Sequence, residues 1–407
     1  MSWHSQPDGD LPSPLMTSEP GSFAQQTIVQ RKPQIIGQVF AENDYTADIV
    51  EALECLKDEI ASRPARPLGE DVPDVAAWNR ALAAYQGKTW LELPWYLAET
   101  YFYRRLLEAI GYYRPGPYEG RDPFGAAKHA QIELAAARLA EDWDALTSAE
   151  PGLAFEALLH SCLWGNRADL SNQSVQLEVR GGLAARDERH NLLIDHTGPV
   201  CRIVTGCIRR VDFINDNVGL DLLFDLALID LMICQGWLGR AVCHLKGCPF
   251  FVSDAMPADL QATISQLADS PVGGVRALGE RLRGYLATGQ LALKTDPFWT
   301  SHRMFRQFPP ALRDLLARSD LVVLKGDVNY RRLLDDRHWP YTTPLEQAAA
   351  YFPVPFLVLR TLKGEIQVGL APGQAEALAA QDPHWLINGQ RGLIQYCNPF
   401  NVEAPPR

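Results

Sequence analysis

The chain has 407 residues, of which 47% are hydrophobic, so it is long enough for about two folded domains. Its formal net charge is -11, from 38 Lys and Arg against 49 Asp and Glu. A chain of that charge repels nucleic-acid backbones and anionic lipid surfaces, which argues against a nucleic-acid or membrane partner. The eight cysteines form no C-x-x-C pair and no zinc-type set with histidine, which predicts buried thiols in a reducing compartment.

The front of the chain predicts a protein that stays inside the cell. The first thirty residues lack the basic start and apolar run of a secretory signal, so we expect the cytoplasm, or the nucleus. The most apolar stretch, 218–238, contains Asp221, Asp225 and Asp230, which is too much charge for a lipid span. It is predicted to be a helix buried in a large domain.

Three segments are predicted along the chain. Residues 1–22 are rich in Pro, Ser and Gly and predict a flexible arm. Residues 23–165 predict a helical N-terminal domain, because apolar residues recur there at spacings of three and four. Its clearest helices are predicted over 45–62, 90–113, 122–145 and 153–163.

Residues 166–407 have a different period and predict the second domain. Short apolar runs of strand length alternate with helical stretches, which is typical of βαβ units and a parallel sheet. Four of these runs, 211–215, 250–253, 321–324 and 356–359, are followed at once by polar side chains. Since ligands bind beyond the carboxyl ends of the strands in open α/β sheets, the four ends are expected to meet in one crevice.

The polar residues after these runs suit a metal ion and a phosphate. Asp216, Asn217 and Asp254 offer only oxygen ligands, which hard divalent ions such as Mg or Mn prefer over zinc. Helix N-caps are the structural alternative for acids in such places. The runs would also bring three cations into the crevice, as a phosphate monoester requires: Lys325, Arg360 and Lys363.

Several catalytic motifs are missing from the sequence. It contains no P-loop, no G-x-S-x-G, no H-E-x-x-H and no G-x-G-x-x-G dinucleotide loop. His244 is interpreted as a core residue of a buried strand rather than a general base. Asn217 and Gly219 stand at a helix start, whose N–H groups could help to hold an anion.

Five motifs occur in order along the chain: 163–166 with 169–171, 216–217 with 219, 251–254, 324–327 with 329–331, and 360–363 with 365–369. Together they resemble the damage-control phosphatase family, and within it the subfamily marked by an R-T-x-K motif, also known as the acidic-residue methyltransferase-like proteins. The resemblance runs from about residue 20 to residue 396.

The resemblance implies a helical region packed on an α/β/α three-layer Rossmann-like domain with a mainly parallel sheet. It implies a divalent metal ion (Mn, Mg, Co or Ni) held by Asp216, Asn217 and Asp254, with Lys325 and Arg360 completing the catalytic set. The implied substrates are sugar phosphates such as fructose 1-phosphate. The implied substrate-binding residues are Asn166, Asp327, Asn329, Tyr330, Arg331 and Lys363.

The resulting hypothesis is a metal-dependent phosphatase for small phosphorylated metabolites. The metal would activate a water without a covalent phospho-enzyme, while Lys325, Lys363 and Arg360 hold the phosphate oxygens. An S-adenosylmethionine-dependent protein-glutamate O-methyltransferase ranks second, and a non-catalytic phosphometabolite-binding protein ranks third. The sequence gives no prediction of the oligomeric state.

Overall fold

The structure, a computed structural model, describes residues 11–147, 149–165 and 188–401. Its centre is a sheet of seven described strands, β1 to β7 in chain order: Leu192–Asp195, Ile208–Ile214, Leu238–Leu245, Leu291–Thr295, Leu321–Lys325, Phe356–Thr361 and Gly392–Cys397. Their order across the sheet is β1-β7-β6-β5-β2-β3-β4. Strands β6 and β7 pair antiparallel and the other neighbours pair parallel. The prediction of a mainly parallel sheet is confirmed.

The helices of the described residues are numbered α1 to α15. The first seven precede the sheet: α1 Phe23–Gln26, α2 Lys32–Glu42, α3 Ala47–Ser62, α4 Val75–Ala83, α5 Trp95–Ile110, α6 Gly125–Thr147 and α7 Pro151–Trp164. A π-helical turn, Thr27–Arg31, joins α1 to α2. The others lie among the strands: α8 Thr197–Thr205, α9 Leu220–Cys234, α10 Pro257–Ala268, α11 Gly273–Thr288, α12 Pro310–Leu316, α13 Gly326–Leu333, α14 Leu345–Ala348 and α15 Gln374–Gln381.

Helices cover both faces of the sheet, which makes the predicted α/β/α domain. One face packs on α6, α7, α9, α10 and α11 through a core that includes Phe213 and Leu223. The other packs on α12, α13 and α14 around Val322 and Phe356. Because both faces are covered, every residue of β5 and β6 is buried, which explains their nearly continuous apolar runs.

The helical N-terminal region has a core of its own. Helices α2 to α5 meet around Ile36, Leu53 and Phe102. Two residues of the loop after β3, Phe250 and Phe251, insert into that core. The loop therefore connects the helical region to the carboxyl edge of the sheet.

Helices α6 and α7 belong to the sheet domain by packing, whereas the predicted boundary at residue 165 assigned them to the helical domain. Leu139 of α6 and Phe155 of α7 lie in the same core as Phe213 of β2. Their apolar faces cover the sheet, so the two cores divide near residue 124. Helical periodicity alone cannot show which core a helix covers.

Residues 11–22 differ from the predicted flexible arm. Leu15 and Thr17 are fully buried, and the backbone N–H of Leu15 donates to the carbonyl of Asp336 (2.9 Å). The Thr17 hydroxyl donates to the carbonyls of Trp90 and Leu93, each at 2.8 Å. The segment is ordered because one apolar anchor and several backbone bonds tie it to the domain.

Three of the four predicted strands are confirmed as β2, β5 and β6. The run 250–253 is instead a turn after β3, with Phe251 at φ +58°. Its apolar residues reflect burial in the helical core rather than a place in the sheet. His244 is a buried core residue of β3, as predicted, with Nε2 2.7 Å from Asp212 Oδ1.

The eight cysteines are free thiols, but only some match the expected burial. Cys162, Cys243 and Cys397 are buried, whereas Cys55, Cys207 and Cys234 are exposed. The apolar stretch 218–238 supplies the buried helix α9. Within the described ranges, every helix is too short or too polar to cross a lipid bilayer.

Candidate active site

The ends of β2 and β5 place Asp216 beside the start of α13. The two strands are parallel neighbours, with Ile214 opposite Leu324, so the residues that follow them meet. Gly326 has φ +80°, and a Cβ atom there would lie 1.9 Å from Asp216 Oδ2. Only glycine allows both that backbone angle and that approach. The Asp216 carboxylate is therefore held against the backbone of the β5–α13 junction.

The turn after β3 joins Asp254 to Asn217. The two residues form an isolated antiparallel bridge. The backbone N–H of Ala255 donates to the carbonyl of Asp216 (2.8 Å), and that of Val218 donates to the carbonyl of Ser253 (2.8 Å). These bonds bring together three residues that the sequence predicted to converge.

Side-chain bonds orient the amide of Asn217. Its Nδ2 donates to Asp216 Oδ2 (2.8 Å), and the Ser253 hydroxyl donates to its Oδ1 (2.6 Å). The backbone N–H of Asn217, just before α9, donates to the Asp221 carboxylate (3.3 Å). The anion site at the start of this helix stays a prediction.

Two buried lysines support Asp254. Lys246 Nζ lies 3.2 Å from Asp254 Oδ2, and Lys128 Nζ donates to the Asp254 carbonyl (2.8 Å). Lys128 also pairs with Asp122 and Asp259. The backbone and the carboxylate of Asp254 are thus fixed separately.

Asp327 organises the loop that carries Lys363. Its Oδ1 accepts from Arg360 Nε (2.7 Å) and from the Lys363 backbone N–H (3.3 Å), and its Oδ2 accepts from Arg331 Nε (3.0 Å). Burial alone would raise the pKa of Asp327, but the two guanidinium groups outweigh it and hold the pKa below its ordinary value. Asp327 therefore remains ionised and ties Lys363 to α13.

The R-T-x-K loop is also joined to the front of the chain. Glu365 Oε1 accepts from the backbone N–H of Phe23 (3.0 Å), and Oε2 from that of Ala24 (3.4 Å). Arg331 stacks on Trp95, with its Cζ 3.9 Å from the ring centroid. Residues from both ends of the sequence thus enclose the same space.

That space is a cavity of about 60 Å³ beyond the strand ends. Five predicted residues line it: Asp216, Asn217, Asp254, Asp327 and Lys363. The sequence missed several others, among them Arg31, Trp95, Glu99, Tyr103 and Ser253. The signal that could have indicated Glu99 is an acid within the aromatic-rich stretch of α5, because a buried charge there requires a partner or a ligand.

A larger cavity, of about 540 Å³, lies in the helical region between α3 and α5. Four of its charged lining residues pair with one another: Arg105 binds Glu59 (2.7 Å), and Arg66 binds Glu108 (3.0 Å). Size alone therefore does not mark the functional site, and the smaller cavity carries the chemistry.

Lys325 does not line the cavity, although the sequence placed it there. It is fully buried, 2.8 Å from Asp221 and 2.6 Å from Asp225, and donates to the Cys162 carbonyl (2.6 Å). Burial would lower its pKa, but the two carboxylates outweigh burial and raise it. The role that this position supports is holding the end of β5 against α9.

The guanidinium group of Arg360 is likewise engaged in hydrogen bonds within the protein. Besides Asp327, it donates to the carbonyls of Ile366 (2.5 Å) and Gly364 (3.1 Å). Its position supports a structural role in the R-T-x-K loop rather than the predicted contact with phosphate.

The remaining predicted residues of α13 lie behind the cavity. Asn329 Nδ2 donates to the Ile214 and Lys325 carbonyls, the Tyr330 hydroxyl accepts from the Val368 N–H, and Arg331 pairs with Asp327 and Asp336. They shape the site without lining it. Asn166 lies outside the described residues.

The donor set suits a hard divalent ion. Asp216, Asn217 and Asp254 line the cavity and their side-chain acceptors are all oxygens, and the close approach of Gly326 constrains the Asp216 carboxylate. In the described part of the chain, no three His, Cys, Asp or Glu side chains form a metal-holding group. The candidate set instead combines two carboxylates with an amide, so these three residues could hold such an ion.

Replacing Gly326 tests whether the close approach of the Asp216 carboxylate to its backbone constrains the structure. We expect Gly326→Ala to lower the free energy of unfolding by about 1–2 kcal/mol for the left-handed backbone and by about 1–3 kcal/mol more for displacing Asp216. Gly289→Ala is the matched control, because Gly289 has the same φ of +80° and open space around it. Chemical denaturation of both variants gives the difference. Equal losses would show that the approach of Asp216 imposes no constraint.

An α/β/α domain with oxygen donors and a lysine gathered beyond its strand ends belongs to the class of proteins that bind small polar ligands at the edge of the sheet. Residues 27–378 match the family model described as the Damage-control phosphatase ARMT1-like domain. This chain belongs to that family, as the motifs predicted.

Known relatives extend the match over nearly the whole chain. The chain is 31% identical to Damage-control phosphatase ARMT1 of Mus musculus over 440 residues, 96% of this chain and 100% of the relative. It is 31% identical to that of Homo sapiens over 443 residues, covering 96% and 99%. A solved DUF89 family protein from Pyrococcus horikoshii shows 14% identity and a TM-score of 0.48, over 91% of this chain and 97% of the other. Family membership supports a phosphatase activity.

Proposed function

We propose that this protein is a metal-dependent phosphatase that hydrolyses small phosphate monoesters, with sugar phosphates such as fructose 1-phosphate as the substrates. The observation that supports the proposal most is the meeting of Asp216, Asn217 and Asp254 with Lys363 in one cavity. Oxygen ligands for a cation beside a lysine for an anion are what a metal-bound phosphate needs.

The residues divide the work between the metal and the phosphate. Asp216, Asn217 and Asp254 would hold a divalent ion (Mn, Mg, Co or Ni), which when bound lowers the pKa of water and neutralises phosphate charge. Lys363 donates to a phosphate oxygen, and Asp327 positions it through the backbone. Ser253 donates to Asn217 Oδ1 and fixes the amide, and this oxygen keeps a second lone pair for a cation.

The local charge of the cavity supports an anionic substrate despite the charge of -11 on the chain. Each of Asp254 and Asp327 has a buried cationic partner, Lys246 or Arg360, which offsets its charge. Diffuse surface charge is screened beyond about 8 to 10 Å at physiological salt. A bound metal ion and Lys363 would therefore supply positive charge where the phosphate binds.

Phosphate release is the deciding experiment, measured on a panel of phosphorylated metabolites with Mg, Mn, Co or Ni and again with chelator. Metal-dependent hydrolysis that chelator abolishes is the expected result. S-adenosylmethionine-dependent methylation of glutamate in chelator, without any phosphate release in metal, would instead support a methyltransferase.

The variant Asp254→Asn tests in the same assay whether Asp254 is a metal ligand. Because one anionic ligand is lost, metal affinity should fall at least about tenfold, and turnover with it. Asp296→Asn is the control, since Asp296 caps a short helix by accepting from the Phe298 N–H (2.8 Å), and asparagine caps as well as aspartate. Unchanged metal affinity in Asp254→Asn would remove Asp254 from the metal site.

A further inference from the structure

We propose that Glu99 and Arg31 bind the hydroxyl groups of the substrate's alcohol portion and thereby select polyhydroxylated phosphate esters. This inference rests on the proposed phosphatase function. Both residues line the cavity that contains Asp216 and Lys363, and both come from the helical part of the chain rather than from the strand ends.

Helix α5 presents one face to the cavity. Trp95, Glu99 and Tyr103 lie four residues apart, and all three line it. Residues at this spacing are neighbours on one side of a helix. Glu99 is therefore flanked along the axis by two aromatic rings and is the acid of that face.

Two polar atoms on this wall have no hydrogen-bond partner among the described residues. Glu99 is 2% exposed, and while its Oε1 pairs with Lys32, its buried Oε2 has no hydrogen bond from any described residue. Arg31 Nε is buried and likewise lacks an acceptor in the described part of the chain. Buried polar atoms are nearly always satisfied, so an acceptor and a donor left open beside a cavity indicate a ligand that supplies both.

The hydrogen-bonding chemistry of Glu99 Oε2 and Arg31 Nε restricts the chemical groups that a ligand could present to them. A carboxylate oxygen only accepts and a guanidinium only donates, whereas a hydroxyl group does both. A phosphate oxygen is only an acceptor and cannot bond to Glu99 Oε2, which also only accepts, so the phosphate is directed to Lys363 and the metal ligands. The alcohol portion is left facing α5, which gives the substrate one orientation.

The wall is held in place before any ligand binds. Lys32 Nζ lies 4.7 Å from the centroid of the Tyr103 ring and balances the charge of Glu99. Trp95 Nε1 donates to the Thr27 hydroxyl (2.7 Å), which fixes the π-helical turn that ends at Arg31. Preorganised groups lose little entropy on binding, so the hydroxyl contacts can contribute fully to specificity.

The test compares two esters, a hexose phosphate and phenyl phosphate, which has no hydroxyl groups. The variant Lys32→Met/Glu99→Met removes the buried pair together, because replacing both charges by apolar groups avoids an unpaired charge. We expect the ratio of kcat/KM for the hexose phosphate over phenyl phosphate to fall about 10- to 100-fold, mainly through KM. Arg31→Met should lower the same ratio and provides a second variant on a partly exposed site.

Lys88→Met/Glu92→Met, an exposed pair of the same residue types 2.9 Å apart, is the control and should keep the ratio. An unchanged ratio in both wall variants, or an equal loss on both esters, would overturn the inference. Calorimetric titration with the hexose phosphate measures binding without turnover, so it tests this inference separately from the phosphatase proposal. If wild type hydrolyses neither ester, the phosphatase proposal fails, and wild-type affinity in the wall variants would then overturn the inference as well.

Discussion

Lys325→Met is expected to lower the free energy of unfolding by about 3–5 kcal/mol, because it leaves two buried carboxylates without their counter-charge. Lys325 is fully buried between Asp221 and Asp225, at 2.8 and 2.6 Å. Methionine keeps the length of the side chain but supplies no donor to either acid. Chemical denaturation at neutral pH measures the loss.

The loss should be larger at pH 8 than at pH 6. Burial, helped by Asp221, raises the pKa of Asp225 to about 7 even with Lys325 present. An acid whose pKa is higher in the folded state stabilises the fold at low pH, and this contribution is lost as the pH rises through the folded value. At pH 6 a proton on Asp225 therefore replaces part of the missing charge.

An exposed lysine provides the comparison. Lys88 pairs with Glu92 at 2.9 Å on the surface, so Lys88→Met should cost no more than about 1 kcal/mol. If Lys325→Met cost as little, Lys325 would not be the counter-ion that the geometry indicates. It would then be available for the phosphate contact that the sequence suggested.

Lys363→Met is expected to reduce kcat/KM for the best phosphate ester by about 10- to 150-fold, which corresponds to one charge-assisted hydrogen bond of about 1.5–3 kcal/mol. Lys363 lines the cavity, and the loop that carries it is held by Asp327. Methionine preserves the bulk, so the loss reports the charge. Steady-state kinetics and a metal titration on one preparation measure kcat/KM and the metal affinity of the variant.

Metal affinity should survive in Lys363→Met, because Asp216, Asn217 and Asp254 are unchanged. Lys57→Met serves as the control, since Lys57 is exposed on α3, away from the cavity. If Lys363→Met kept full catalytic efficiency, Lys363 would be a solvent-facing lysine that makes no contact with the phosphate. A parallel loss of metal affinity would place it beside the metal rather than on the phosphate.

The sequence predicted the strand ends better than it predicted the direction of the side chains there. Asp216 and Asp327 reach the cavity as expected, because the carboxyl ends of parallel strands share one edge. Lys325 does not, because it pairs with two acids of α9, a distant segment of the chain, and such pairing leaves no local pattern. Arg360 does not either, because it turns back to the carbonyls of Ile366 and Gly364 in its own loop, and a loop conformation has no sequence period from which it can be predicted.

The opposite wall of the cavity escaped prediction for a related reason. Glu99 lies in α5 and Arg31 ends the π-helical turn, and the pattern of apolar residues around them indicates only helical structure. Their place beside the strand ends depends on how the helical core docks, through Phe250 and Phe251, onto the sheet. The turn at 250–253 was taken for a strand because a buried apolar loop has the same composition as a short strand.

The bond from Glu365 to the start of α1 affects the order in which the site can form during synthesis. It joins residues 342 positions apart, so the N-terminal wall emerges from the ribosome long before its partner exists. Contacts of such long range are closed late, after local structure has formed. A nascent or C-terminally truncated chain therefore lacks a closed cavity, and metabolite phosphates meet an assembled site only when nearly the entire chain has folded.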